Sequence, residues 1–585
     1  MNGAGPTGPA KELRRMDGAN TRAGSVAEAF LRSLKRRGVD YVLANAGTDF
    51  APVIEALVGC AGRGDAIPKF LTVPHENLAV AMAHGYYQTC GKPAAVMVHV
   101  TVGTGNTVCA LMNANRDNVP LLLMAGRTPI TQSGHIASRS APIHWGQENF
   151  DQGGIVREYT KWDFELRAGQ SVDEVLGRAL DVALTEPRGP VYLTLPREVL
   201  ASEERTAEHP QAPTEVAAPQ PSARHIETVA RWVAEAEWPM LLTSNLGRDQ
   251  GAVATLAELA ERFAIPVAEP HASCVNLPAS HPLRTGHAGT ELLGKADVII
   301  VADCEVPWYP RYFSPRPEAK IVHLGVDPLW TRYPIRVFPG ALAIPGSSRA
   351  ALELLTEALE ASKIDSAAVR RRRATVAEFK AKQSDAAAAI VERARAETPI
   401  RYAYVGACVR EALPDNGLVV TELGVSADQL ELEAPGSLLA VSIGGGLGFG
   451  LGASLGAKLA APERMVVSTI GDGSYMFGNP TPFHLVSRAA NLPVLTIVCN
   501  NGRWQAVESA TRVVYPQGLA ASAPVMPLVE LAPSPEFTKV AEASDAWTRR
   551  VDDPAELPRA LDAALEAVAG GRQALLDVRM EHGVR

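Results

Sequence analysis

Two short signals could do chemistry together: the acid of Gly471-Asp472-Gly473 and the amide of Asn500-Asn501. Each follows an apolar, β-branched run, Met465 to Ile470 (MVVSTI) and Leu492 to Cys499 (LPVLTIVC), that reads as a buried strand. Ser474 to Cys499, 26 residues, is the room that one helix and its turns need to cross between parallel neighbours. The spacing therefore predicts Asp472 and Asn501 side by side at the carboxyl ends of adjacent strands, where open α/β sheets bind ligands. A carboxylate and an amide oxygen beside glycines suit a hard cation such as Mg²⁺, which usually also takes phosphate oxygens. The pair thus predicts a phosphorylated cofactor. Taken singly, GDG and NN are ordinary turn signals.

The elements that must position these residues form more than one core, because 585 residues exceed what a single domain holds. Helix and strand patterns alternate in three stretches, 23–200, 225–356 and 399–585, each predicting a doubly wound parallel α/β sheet. A Gly, Pro and Ala-rich tail over 1–22 reads as disordered, with no apolar core of a signal peptide. Residues 201–224 read as a Pro and Glu-rich linker, and 357–398, with the basic run Arg370 to Arg373, as a solvated helical linker. A net charge of −8 offers no basic face for nucleic acid or anionic membrane. No run of about 18 apolar residues predicts a membrane span. Seven scattered cysteines without a C-x-x-C argue against disulfides or structural zinc and favour the cytoplasm. A small-molecule enzyme is the class that remains.

Further candidates lie in the first stretch. Glu76, in Thr72 to Asn77 (TVPHEN), precedes the helix LAVAMAHGYYQTCG, where a glutamate also serves as a dipole or capping residue. His99 lies at the end of the strand pattern AAVMVHV, four residues before Gly103 to Asn106 (GTGN). Gln147 lies in HWGQEN, and Thr48 in the turn Ala46 to Asp49 (AGTD), where a turn or N-cap role is equally open.

The GDG and NN pair at this spacing resembles the thiamine-diphosphate motif of the family containing acetolactate synthase, benzoylformate decarboxylase and pyruvate decarboxylase. The resemblance implies that Asp472, Asn501 and the main-chain carbonyl of Arg503 hold Mg²⁺ on the diphosphate, with Gly471, Gly473, Ser474, Gly424 and Ser426 at the cofactor. Leu447, in the glycine-rich SIGGGLGFGLGASLGAKLA, matches the apolar residue that bends the cofactor. Glu76 matches the glutamate that hydrogen-bonds the aminopyrimidine N1′, so that the cofactor's own amino group can deprotonate C2. In the resembling enzymes that glutamate and the diphosphate site come from different subunits, which implies a homodimer or homotetramer with sites at the interfaces. GTGN resembles the family's glycine turn at the mouth of the site, His99 a histidine that handles substrate protons in benzoylformate decarboxylase, Gln147 a pocket glutamine of acetolactate-synthase-like enzymes, and Thr48 lies where relatives place a substrate-contacting Ser or similar residue.

The chain also departs from its resemblance. After GDG it has Gly478-Asn479-Pro480-Thr481-Pro482, and after NN it has Arg503-Trp504-Gln505, which turns Trp504, Gln505 and Glu508 towards the substrate. The central stretch lacks a G-x-G-x-x-G fingerprint after its first strand, so FAD is not expected. The expected activity is decarboxylation of a 2-oxo acid, with or without joining to a second carbonyl as in acetolactate synthase. A 2-hydroxyacyl-CoA lyase is the alternative, on Asn113-Ala114-Asn115, and a catalytically silent binding relative is the alternative of another class.

Overall fold

The computed structural model describes residues 24–204 and 212–581, so the expected tail over 1–22 and part of the expected 201–224 linker lie outside it. Three six-stranded sheets, every strand pairing parallel, account for the strand patterns. The first holds β1 (Tyr41–Ala44), β2 (Lys69–Thr72), β3 (Ala95–Val98), β4 (Leu122–Arg127), β5 (Asp163–Glu165) and β6 (Val191–Pro196) in the order β2-β1-β3-β4-β6-β5. The second holds β7 (Pro239–Thr243), β8 (Val267–Ala268), β9 (Arg284–Gly286), β10 (Val298–Ala302), β11 (Lys320–Gly325) and β12 (Leu342–Pro345) in the order β12-β11-β10-β7-β8-β9. The third holds β13 (Gly417–Glu422), β14 (Leu438–Ala440), β15 (Met465–Gly471), β16 (Leu495–Asn500), β17 (Trp547–Val551) and β18 (Ala574–Arg579) in the order β14-β13-β15-β16-β18-β17.

Central strands such as β3, β7 and β16 are buried along their whole length, because helices cover both faces of a parallel sheet. That is why they read as unbroken apolar runs. The first and third sheets share one topology, strand for strand, although no internal repeat is visible in the sequence. In each, the order reverses beside the first strand, between β1 and β3 and between β13 and β15, which opens a crevice at the carboxyl ends.

The chain forms two compact units, Met1–Val216 with Ile443–Ala460, and Ala217–Ser442 with Ala461–Arg585. Helix Phe449–Ala460 therefore packs with the first sheet, against helix Glu76–Cys90, although it sits between strands of the third sheet in the sequence. Glycine makes that contact possible: a Cβ on Gly456 would meet the Met82 carbonyl oxygen at 1.9 Å, and one on Gly85 the Ala453 carbonyl oxygen at 2.2 Å. His84, fully buried, meets Phe449 edge-on at 5.0 Å and Asp117 Oδ2 at 3.1 Å.

In the second unit the turn after β7 spends its polar groups inside the protein. Asn245 Nδ2 donates to Glu305 Oε1 at 2.6 Å, Gly247 N–H donates to Asn276 Oδ1 at 3.0 Å, and a Cβ on Gly247 would lie 2.0 Å from the Val275 carbonyl oxygen. The expected helical linker contains helix Ser366–Ala394, anchored through buried Arg372 on the carbonyls of Ala236 and Phe263. No helix among the described residues is long and apolar enough to cross a membrane.

Candidate active site

In the second unit, β15 and β16 are adjacent with Gly471 opposite Cys499, so the GDG and NN turns leave the sheet side by side. Asp472, 3% exposed, closes the gap: Oδ2 accepts from the N–H of Gly502 at 2.7 Å and Oδ1 from that of Gly473 at 2.9 Å. Gly502 takes φ +65, a left-handed conformation that glycine adopts without strain. Burial raises the Asp472 carboxyl to about 6, against two backbone hydrogen bonds that favour the anion. Asn501 Oδ1 accepts from the Arg503 N–H at 3.0 Å and its Nδ2 lies 3.4 Å from the Tyr402 hydroxyl. The preceding Asn500 faces elsewhere, donating to Asp577 on β18 at 2.8 Å.

Around this pair, Ser474 Oγ is buried without a hydrogen-bond partner among the described residues. Gly471 and Gly424 line the switch point: a Cβ on either would press on backbone, Leu423 O at 3.2 Å or Thr469 O at 2.5 Å. Ser426 caps the short helix Ala427–Leu430 in a reciprocal box with Gln429. A Cβ on Gly473 would meet the Trp504 ring at 2.4 Å, so that indole lies on the GDG turn. Trp504 precedes helix Gln505–Val514, whose Glu508 is held by Arg503 at 3.2 Å and Arg512 at 2.8 Å. Those ion pairs engage both Glu508 oxygens, and the Gln505 amide nitrogen lies 3.5 Å from Ser509 Oγ.

In the first unit, the carboxyl ends of β1, β2 and β3 bring together Asn45, Asp49, Glu76 and His99. Glu76 opens its helix, but it does not cap it; both its oxygens are claimed by side chains, Oε1 by Asn45 Nδ2 at 2.8 Å and Oε2 by Asn106 Nδ2 at 2.6 Å. Asn106 ends helix Val100–Asn106, so GTGN is helical and not the expected turn; within it Thr104 Oγ1 donates to the Val100 carbonyl at 2.7 Å. His99 Nδ1 lies 2.5 Å from Asp49 Oδ1, and that contact holds the imidazole above its ordinary range against burial. Gln147 also raises it, and the Gln147 carbonyl accepts from Thr101 Oγ1 at 2.8 Å. Thr48 is exposed, and its carbonyl lies 3.5 Å from Arg197.

Leu447 belongs to this unit as well. Its carbonyl accepts from Asn77 Nδ2 at 3.4 Å, while Asn113 clasps Gly446 both ways, donating to its carbonyl at 2.7 Å and accepting from its N–H at 2.9 Å. Sequence reasoning missed Asn45, Asp49 and Asn77 as contributors, because nothing in their spacing separates them from ordinary turn and helix residues. The signal available was position: Asn45 and Asp49 directly follow a central strand.

Three family models match the chain in order: thiamine pyrophosphate enzyme, N-terminal TPP binding domain over residues 24–155, central domain over 226–355, and C-terminal TPP binding domain over 420–578. The chain belongs to the thiamine-diphosphate-dependent enzyme family. The Escherichia coli acetolactate synthase isozyme 1 large subunit is 26% identical over 85% of each chain. Benzoylformate decarboxylase of Pseudomonas aeruginosa is 27% identical over 83% of this chain and 87% of its own. In structure, the 4-hydroxybenzoylformate decarboxylase of Rhodococcus jostii superposes with a TM-score of 0.77 at 22% identity, covering 95% of this chain and 99% of that one. The three parallel α/β sheets are the fold this family uses.

The residues present fit the family's cofactor. Ser474 Oγ is a buried hydroxyl with no partner among the described residues, and Asp472 is a desolvated carboxyl that a cation would relieve. A carboxylate beside an amide oxygen is also the donor chemistry that Mg²⁺ prefers.

Proposed function

We propose that this thiamine-diphosphate enzyme is Mg²⁺-dependent and cleaves or forms a carbon–carbon bond beside a carbonyl, by decarboxylating a 2-oxo acid with or without joining the product to a second carbonyl. The observation that carries this reading is Glu76, buried, ionisable and gripped by two amides in a place where no capping role explains it. The bound cofactor supplies a nucleophilic carbon that stabilises negative charge next to the reacting carbonyl. Glu76 would meet the aminopyrimidine of the bound cofactor and hold or release a proton there, while Asp472, Asn501 and the Arg503 carbonyl would hold Mg²⁺ and Ser474 would donate to the phosphate groups. Gly424 and Ser426 would border the cofactor, and Leu447 would pack against it. His99 moves the substrate proton, and Gln147 and Trp504 border the substrate.

The chain acts as a homo-oligomer in which one copy supplies Glu76 and another the diphosphate site. Purified protein with Mg²⁺ and cofactor, screened against 2-oxo acids and 2-hydroxyacyl-CoAs for CO₂ and aldehyde, tests the reading. CO₂ release from at least one 2-oxo acid is expected; turnover of acyl-CoAs alone would overturn it.

The Asp472 carboxyl adds a pH dependence. Its ordinary value lies near 3.8 and burial raises it to about 6 in the metal-free protein. A raised carboxyl contributes stability below its unfolded value and loses it as pH rises through about 6, so the anion at neutral pH is the costly form and the metal ion relieves it. Calorimetric Mg²⁺ affinity, measured with cofactor, should be flat above about pH 7 and fall about tenfold per pH unit below about 6. Constant affinity from pH 5 to pH 8 would separate Asp472 from the metal.

A further inference from the structure

His99 is held in a niche shaped for it. Its ring lies on the backbone of Gly47, where a Cβ would come within 2.0 Å of Nδ1. Gly47 sits at φ −126 and ψ −169, extended backbone open to any residue, so glycine is present there for space and not for conformation. Asp49, 3% exposed, places Oδ1 2.5 Å from His99 Nδ1 and Oδ2 3.4 Å from the N–H of Val100. Gly126 on β4 makes room for that carboxylate, since a Cβ there would lie 1.8 Å from Oδ2. Val100 itself takes φ +27, a region that a β-branched residue rarely occupies, so the chain is bent sharply after His99. Two glycines and a strained valine surround one acid–imidazole contact.

We propose that Asp49 is a positioning residue for His99: it holds the imidazole with its proton on Nδ1 and presents Nε2 as the proton donor to the reacting centre. This rests on the reading of His99 given above. Nδ1 is occupied by the carboxylate, so Nε2 is the only ring atom left to act. The groups facing the ring from its neighbours are Asp49, Gln147, Glu76 and the more distant His144. Asp49 has the largest effect and raises the imidazole, burial opposes it, and Gln147 and Glu76 add to the rise. Buried His144, lowered by burial and by Arg197, Arg139 and His99, adds little positive charge. In the transfer the proton leaves Nε2 for the substrate and the electron pair of that N–H bond stays on Nε2. The ring is then neutral, its other proton still shared with Asp49, and water restores the Nε2 proton.

The test is the titration of the His99 ring by proton NMR in the full-length protein, with the resonance assigned by its loss in His99→Gln. The wild-type midpoint should lie above the ordinary histidine value near 6.5. Asp49→Asn should lower it by about one pH unit or more. Gly47→Ala keeps the Asp49 charge and a permitted backbone but pushes the ring away, and should lower the midpoint as well. In kinetics with a turned-over 2-oxo acid, the alkaline limb of the kcat profile should move down by the same amount in Asp49→Asn, while cofactor C2 exchange, which needs Glu76 and not His99, stays as in wild type. If either folded variant keeps the wild-type midpoint, the positioning role is overturned. If wild-type protein shows no C2 exchange, it is instead the proposed function that fails.

Discussion

Glu76→Gln is expected to slow hydrogen–deuterium exchange at thiamine C2 by about 10²–10⁴-fold while leaving the fold and most cofactor affinity in place. The structure explains why the two effects separate. Asn45 and Asn106 each donate to one Glu76 oxygen, at 2.8 and 2.6 Å. A glutamine keeps the volume and one acceptor, and the other amide can rotate to meet its NH₂, so packing survives. What is lost is a group that can exchange a proton with the aminopyrimidine. The loss should fall on kcat more than on KM, because the step lies after binding. Acid-quench NMR of C2 measures it without knowledge of the substrate. If Glu76 acted only on the helix dipole, the substitution would cost on the order of 1 kcal/mol of stability and little rate; unchanged exchange would therefore assign the residue a structural role.

Asp472→Asn is expected to weaken Mg²⁺-dependent cofactor binding by roughly 10²–10⁴-fold, the scale of about 3–5 kcal/mol for removing one partner of a buried charge pair. The metal-free protein should melt no more than a few degrees from wild type. It sheds a desolvated charge, and one of its two backbone partners, Gly473 or Gly502, keeps an acceptor. Titration calorimetry and a thermal scan of the same sample separate the two quantities. A large drop in metal-free stability with intact Mg²⁺ affinity would make Asp472 a tie between two turns and not a ligand.

The fold was legible where burial dictates composition. MVVSTI and LPVLTIVC became strands because a parallel sheet covered on both faces admits only apolar runs. GTGN was misread, since glycine is a turn signal locally, yet here Gly103 faces Val98 closely, with a Cβ only 2.9 Å from the Val98 side chain, and stays helical. Strand β2, KFLT, carries no strand signal in the sequence because it lies at the sheet's edge, partly exposed, and lacks an apolar run.

Residue types at crossover spacing determined by themselves that an acid and an amide would meet at adjacent strand ends. They also determined that the chain carries three α/β sheets, because hydrophobic period and crossover length are local properties of a chain. Only the tertiary structure decided what the first asparagine of NN does, since Asp577, its partner, lies on a neighbouring strand 77 residues further along the chain. It alone placed helix Phe449–Ala460 with the first sheet, a choice made by glycine contacts between residues hundreds of positions apart. The partners of the key groups, Asn45 and Asn106 on Glu76 and Asp49 on His99, were likewise decided in space. A hydrogen bond needs about 3 Å and a direction, and in this chain both are set by strands that the sequence separates and the sheet brings together.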